Sequence, residues 1–237
     1  MYPLFLSLLF CLCCICNFSF AQDQERFRVS SEEEIEQAIP ASDRYLLEQF
    51  QQGIVSLHNG TKANARLNYN LLLEEIQFIN LTGDTMALAD EQLVKQISIG
   101  DKTFYYGEQS GFVETIADYS PVKLAVHQKF TTINAEKMGA YEQSSAVSSI
   151  RTYKSFTTNT GQRQNLKLKG DLVLAIESSF YFVDQNNRTY KANKSALKKI
   201  FPEKKNIIRD FVKEEKIDFN KDEDLRKLLQ YCSELSS

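Results

Sequence analysis

The sequence is poor in the residues that carry most metal and nucleophilic chemistry. It holds two histidines, His58 and His127, and five cysteines, of which four (Cys11, Cys13, Cys14 and Cys16) fall within the first 21 residues. With no HExxH, no second histidine at helical spacing and no cysteine pair beyond that segment, there is no ligand set for zinc. Cys232 is then the one remaining thiol, which excludes an intramolecular disulfide and leaves the fold to be held by its core. There is no GxSxG elbow and no SxxK, so serine catalysis lacks its usual signatures. A net charge of −3 and a sequence pI near 5.6 deny the chain a global basic field, which makes nucleic acid a poor partner. No cofactor is expected.

What is present at the start is an uncharged segment. Residues 1–21 contain an apolar run over 4–16, followed by Asn17, Phe18, Ser19, Phe20 and Ala21. The run is short of the ~20 residues that a membrane span needs, and small residues stand where a signal peptidase would cut after Ala21. This predicts a signal peptide and no integral span after its removal. Residues 22–43 are polar and acidic, with Glu32, Glu33, Glu34 and Glu36, and read as a polar leader that could hold a short capped helix ended by Pro40.

Residues 44–192 read as an antiparallel β domain. The hairpin at 53–67, GIVSLHNGTKANARL, is best closed by a three-residue loop, His58-Asn59-Gly60, with Gly60 left-handed and a bulge behind it. That register groups Val55 and Leu57 with Ala63, Ala65 and Leu67, where a two-residue Asn-Gly loop would mix apolar with polar. Short strands follow around Ile76 and Phe78, Met86 and Leu88, then 94–99, 103–106 and 112–119, with a helical turn at 90–93. After Pro121 the alternation is clean: Val122, Leu124, Val126, Gln128 and Phe130 on a buried side, Lys123, Ala125, His127 and Lys129 on a wet one. His127 is accordingly expected at the surface, as is His58 in its turn. Residues 131–170 form a long polar excursion, an extended hairpin or a binding loop. An apolar strand at 172–183 returns, pairing through Gln185-Asn186-Asn187 with 189–192. These strands predict a meander closing into a sandwich or small barrel.

Residues 193–237 are helical in pattern and are expected to pack on the sheet, giving an α+β, mainly β protein. Ser195 is expected to cap a first helix, Pro202 to start a second carrying Ile207, Ile208, Phe211 and Val212, and Asn220 with Glu223 to form a capping box for a third. Asp218, Asn220 and Asp222 match the first three positions of a calcium loop, but Glu223 stands for the turn glycine and Leu229 for the last acid, so a helix start is the better reading. Lys191, Lys194, Lys198, Lys199, Lys204 and Lys205 form a run that either faces an anionic lipid or glycan or is a solvated helix face. Glu74 and Glu75 alternate faces and do not converge. Sequons stand at Asn59, Asn80, Asn187 and Asn193, and Asp84-Thr85-Met86 matches an O-glycosylation triplet with Thr85 as acceptor.

The segments LNYN (67–70), EIQFI (75–79), GDTMALAD (83–90), IGDKTFYY (99–106), GFVETIADYSPVKLAV (111–126) and KKIFPEKK (198–205) together resemble uncharacterised exported, signal-peptide-bearing envelope proteins of Bacteroidetes. The resemblance implies an exported location, in the periplasm or at the outer membrane, and a β-rich fold. It implies no catalytic residues. The expected function is a non-enzymatic envelope module that binds or scaffolds a protein partner, with an outer-membrane complex as one such partner. The alternative is a hydrolase of envelope glycan that uses carboxylates distant in sequence.

Overall fold

The structure is a computed structural model that describes residues 26–29, 35–138, 144–147 and 172–235. The expected signal peptide, residues 1–21, lies outside the described residues. The strands are β1 (Arg26–Val29), β2 (Gln51–Leu57), β3 (Lys62–Asn70), β4 (Glu75–Ile79), β5 (Thr85–Ala87), β6 (Val94–Ile99), β7 (Lys102–Gly107), β8 (Gly111–Asp118), β9 (Lys123–Met138), β10 (Ser144–Val147), β11 (Leu172–Val183) and β12 (Thr189–Lys191). Helices α1 (Ile35–Ala38) and α2 (Ala41–Arg44) are short, and α3 (Lys194–Ile200), α4 (Lys205–Glu214) and α5 (Asp222–Glu234) end the chain. A 3-10 turn at Glu91–Leu93 fills the expected helical turn.

The fold is α+β and mainly β, as the residue patterns indicate. All twelve strands join one antiparallel sheet in the order β1-β11-β9-β8-β7-β6-β2-β3-β4-β5, with β10 added to β9 and β12 to β11. It is two meanders set back to back: β2 to β5 runs one way, β6 to β9 the other, and β2 and β6 share the seam through pairs such as Val55↔Ile97. The sheet stays open instead of splitting into a sandwich or closing into a barrel. The 53–67 hairpin has the three-residue loop: Val55 faces Ala63, the Leu57 N–H donates to Thr61 O at 2.9 Å, and Gly60 has φ 89°.

The first meander curls over the second. The Phe130 N–H donates to Leu71 O at 3.2 Å and the Tyr69 hydroxyl donates to Gln128 O at 3.2 Å, which encloses a core of Val55, Leu67, Tyr69, Ile76, Ile97, Ile99, Phe104 and Phe112. Register carries that same face from Phe104 through Glu114 to Val126. There, around Leu124 and Phe182, α3 to α5 cover it with Leu197, Phe201, Ile208, Val212, Leu225, Leu228 and Leu229. The C-terminal helices therefore pack on the sheet. Phe211 and Tyr231 stack at 4.0 Å where α4 meets α5.

Three expectations are corrected. Of the residues read as a polar leader, Arg26–Val29 and residues 35–43 belong to the fold: Phe27 and Val29 alternate with two arginines along β1, Phe27 meets Phe130 edge-on at 5.4 Å, and Val29 and Ile39 are buried beside Leu174. The second side of β9 is not wet, since Ala125 is 0 % and His127 6 % exposed. It is covered because β11 and β12 swing round until the Thr189 Oγ1 lies 3.0 Å from the Ser110 Oγ in the β7–β8 turn, closing over Tyr105, Val113, Ala125 and Val183. The helix starts also differ: Asn193, not Ser195, caps α3, α4 begins at Lys205 beyond Pro202, and α5 begins at Asp222 without the Asn220–Glu223 box. Of the excursion at 131–170, the described part continues β9 to Met138 and turns back as β10, an extended hairpin; the rest lies outside the described residues.

Candidate functional site

Helix α3 exists because the Asn193 side chain accepts from the Ser195 and Ala196 N–H groups at 2.8 and 2.9 Å, satisfying two of the donors that a helix start leaves open. Its seven residues, KSALKKI, put Ala196 and Leu197 into the core and leave Lys194, Lys198 and Lys199 outside. Phe201 ends it, donating to Leu197 O at 2.8 Å, and the turn at 202–204 brings α4 back alongside. On α4 the buried Ile208 and Val212 are four residues apart, and on its flank Lys205, Arg209 and Lys213 recur at the same spacing.

Between the two helices lies a cleft of about 310 Å³ with a floor of Leu197, Ile208 and Val212 and a rim of Lys194, Lys198, Lys205, Arg209 and Lys213. No carboxylate is among its lining residues. Arg209 is partly neutralised by Asp210 at 2.9 Å, but both are exposed, so that pair holds the side chain only weakly. Between residues 194 and 213 there are seven lysines and arginines against two acids, in a chain whose net charge is −3. The lysine run of the sequence is thus divided. Lys194, Lys198 and Lys205 reach this cleft, while Lys191 and Lys199 reach another on the far side of α3. Arg209 and Lys213 were outside the run and join it only because α4 packs back on α3.

The second cleft, about 270 Å³, is walled by Gln109 and Ser110 of the β7–β8 turn, by Tyr181, Thr189, Tyr190 and Lys191 of the β11–β12 hairpin, and by Asn193, Ser195, Ala196 and Lys199. It shares Ser110 and Thr189 with the closure described above. A Cβ on Gly107 would overlap both hydroxyls, so the approach requires glycine there.

Elsewhere the buried polar groups are mostly engaged. Glu114 is ion-paired with Lys102. Asp184 accepts from the Asn186 and Arg188 N–H groups and from the Arg188 guanidinium at 2.8 Å, and although burial opposes it, these bonds hold its carboxyl below the usual range. The exceptions among the described residues are Arg44 Nε, Thr115 Oγ1 and His127 Nε2. Glu91 is partly buried, and burial first and the charge of Glu75 second push its carboxyl up, against a hydrogen bond from Tyr106. His127 stands with its Nε2 3.4 Å from a Glu74 oxygen and its ring 6.4 Å from that of Tyr181, while burial first and Lys129 second lower it to about 4. Glu74 sits in the β3–β4 turn and faces His127 and Lys129, whereas Glu75 accepts from Gln77, so the two acids do not converge.

His58 is exposed in its turn, and Cys232 is buried in α5, where burial pushes the thiol up to about 12. Thr85 is exposed on β5, the last strand at one end of the sheet order. Asp218 accepts from the Asn220 N–H, and Asp222 bonds Arg226, so the abortive calcium motif serves the start of α5. Among the described residues no group of three or more His, Cys, Asp or Glu side chains could hold a metal, and no helix is long and apolar enough to cross a membrane. No protein-family model, curated protein or solved structure matches the chain.

Proposed function

We propose that the protein is a non-enzymatic, exported module of the bacterial cell envelope that binds or scaffolds a protein partner, and that the partner presents an acidic segment with apolar anchors to the α3–α4 cleft. The observation that carries this reading is the pairing of an apolar floor with a rim of five basic side chains and no carboxylate. Such a surface suits a helix or strand whose acids meet the rim while its apolar side chains enter the groove. Export rests on the composition of residues 1–21, and the resemblance to envelope proteins of Bacteroidetes points to the periplasm or an outer-membrane complex. Thr85, exposed beside a turn, is the proposed site of O-glycosylation.

The test is affinity capture from solubilised envelope, comparing wild type with the double variant Lys198→Glu, Arg209→Glu. A specific partner should be retained by the wild type, lost about tenfold or more with the double variant, and weakened between about 50 and 500 mM salt. A partner indifferent to charge reversal, or none at all, overturns the reading. The alternative, a hydrolase of envelope glycan through carboxylates distant in sequence, would draw on Glu91 and Glu75, from different elements, close enough that the charge of Glu75 adds to burial in raising Glu91. Release of sugar from peptidoglycan by wild type but not by Glu91→Gln would establish it instead.

A further inference from the structure

The geometry points to a second, separate binding site: the cleft between the β7–β8 turn, the β11–β12 hairpin and α3, which we infer takes a small acidic saccharide. It is built by tertiary structure, since its walls come from residues 109–110 and 181–199 and meet only through the curl of the sheet. The walls are held in place. Ser110 is 4 % exposed and its Oγ lies 3.0 Å from the Thr189 Oγ1, with Gly107 leaving the room for both. The Tyr190 hydroxyl donates to Asp184 Oδ2 at 3.3 Å, and Asp184 is itself fixed by Arg188.

The lining selects the ligand class. Gln109, Thr189 and Ser195 are neutral groups that can both give and accept hydrogen bonds, which matches a ligand dense in hydroxyls, while the buried Ser110, donating to Gly111 O at 3.1 Å, holds the wall. Tyr181 adds an aromatic ring, against which the C–H face of a pyranose packs. Lys191 and Lys199 stand at the cleft and no carboxylate lines it, so a cation is repelled and a negative group on the sugar is favoured. A lining so rich in hydroxyls and amides gives a purely apolar ligand little to bind. At about 270 Å³ the cleft falls just under the ~300 Å³ at which pockets for drug-sized ligands begin, which fits one or two rings of an oligosaccharide and leaves a third in solvent.

The experiment is titration of the full chain, followed by calorimetry and by amide NMR shifts, with trigalacturonate, with its fully methyl-esterified form and with inorganic phosphate at equal ionic strength. Trigalacturonate should bind and shift residues 109–110 and 189–199. The neutral ester should bind at least about tenfold more weakly. The double variant Lys191→Glu, Lys199→Glu, at two exposed positions, should lose binding while keeping the wild-type melting temperature, and Lys198→Glu, Arg209→Glu should bind as wild type. The inference is overturned by no binding of trigalacturonate up to about 10 mM, by equal binding of the ester, by phosphate alone reproducing the shifts, or by loss of binding in the α3–α4 variant. Because the two double variants fall in different clefts, failure here leaves the partner-binding reading standing, and failure of that reading leaves this one.

Discussion

His127 is buried with no hydrogen bond at Nε2 among the described residues, and the groups around it are Glu74, Lys129, Glu177 and Tyr181. The Glu74 carboxylate would favour the imidazolium, but it is nearly half exposed and is shared with Lys129 at 3.7 Å, so desolvation outweighs it. The folded histidine titrates near 4, below its ordinary 6.5, so the unfolded chain binds the proton first as pH falls. Its contribution is complete above pH 6.5 and is lost as pH drops from 6.5 towards 4, on the order of 3 kcal/mol if the whole shift is realised. Urea unfolding at a series of pH values should show this fall in the wild type, and the fall should flatten over that window in His127→Gln. The alternation around His127 was legible in the sequence. What covers the second face was not, because period 2 assigns sides and does not say which side stays open.

At the scale of elements, the two clefts share α3 as a common wall, and α3 depends on one side chain. Asn193→Ala removes both cap hydrogen bonds and should cost about 1 kcal/mol, read as a lower urea midpoint at unchanged slope. Ser195→Ala should cost far less, although Ser195 looks like the cap in the sequence. The reason lies in the sheet: the Ala192 N–H still donates to Phe180 O at 2.9 Å, so Asn193 is the first residue free to turn. Pro202 likewise misleads, because the Lys204 N–H is taken by Phe201 O at 3.2 Å in a turn before α4 begins. At the start of α5, Asp224 Oδ2 accepts the Asp218 N–H at 2.8 Å and displaces the expected box. Strand bounds and the 53–67 register were readable because side-chain period and loop chemistry act locally. The helix starts depended on where the preceding element let go.

For the whole molecule the seam between the meanders is the sensitive line. Gly53 lies on β2 with β3 on one side and β6 on the other, and a Cβ there would stand 2.5 Å from Ser98 O and 2.7 Å from Leu67 Cδ1. The first is backbone and the second is fully buried, so neither can give way. Gly53→Ala should destabilise by about 2–4 kcal/mol and leave a single transition, since both meanders share one core. Tyrosine fluorescence, useful in a chain without tryptophan, and far-UV circular dichroism should give coincident curves. Separated curves would mean that the meanders are independent units. The strands were visible in the sequence, but their order was not: the β2–β6 seam, the place of β1 and the joining of residues 109–110 to 181–199 are long-range pairings that no local pattern encodes. The basic run was seen as lysines alone, and the cleft it rims came from packing.

The partnership of β1 with β11 also bears on how the molecule is made. Arg26 pairs with Ala175, about 150 residues later, and β12 takes up the same side of β11 further along, through pairs such as Tyr181↔Lys191. In synthesis, β1 therefore leaves the ribosome with its pairing strand still about 150 residues away, and the pair can form only once that stretch has been made. Among the described strands, the β1–β11 pairing spans the widest separation in sequence, far wider than the β2–β6 seam.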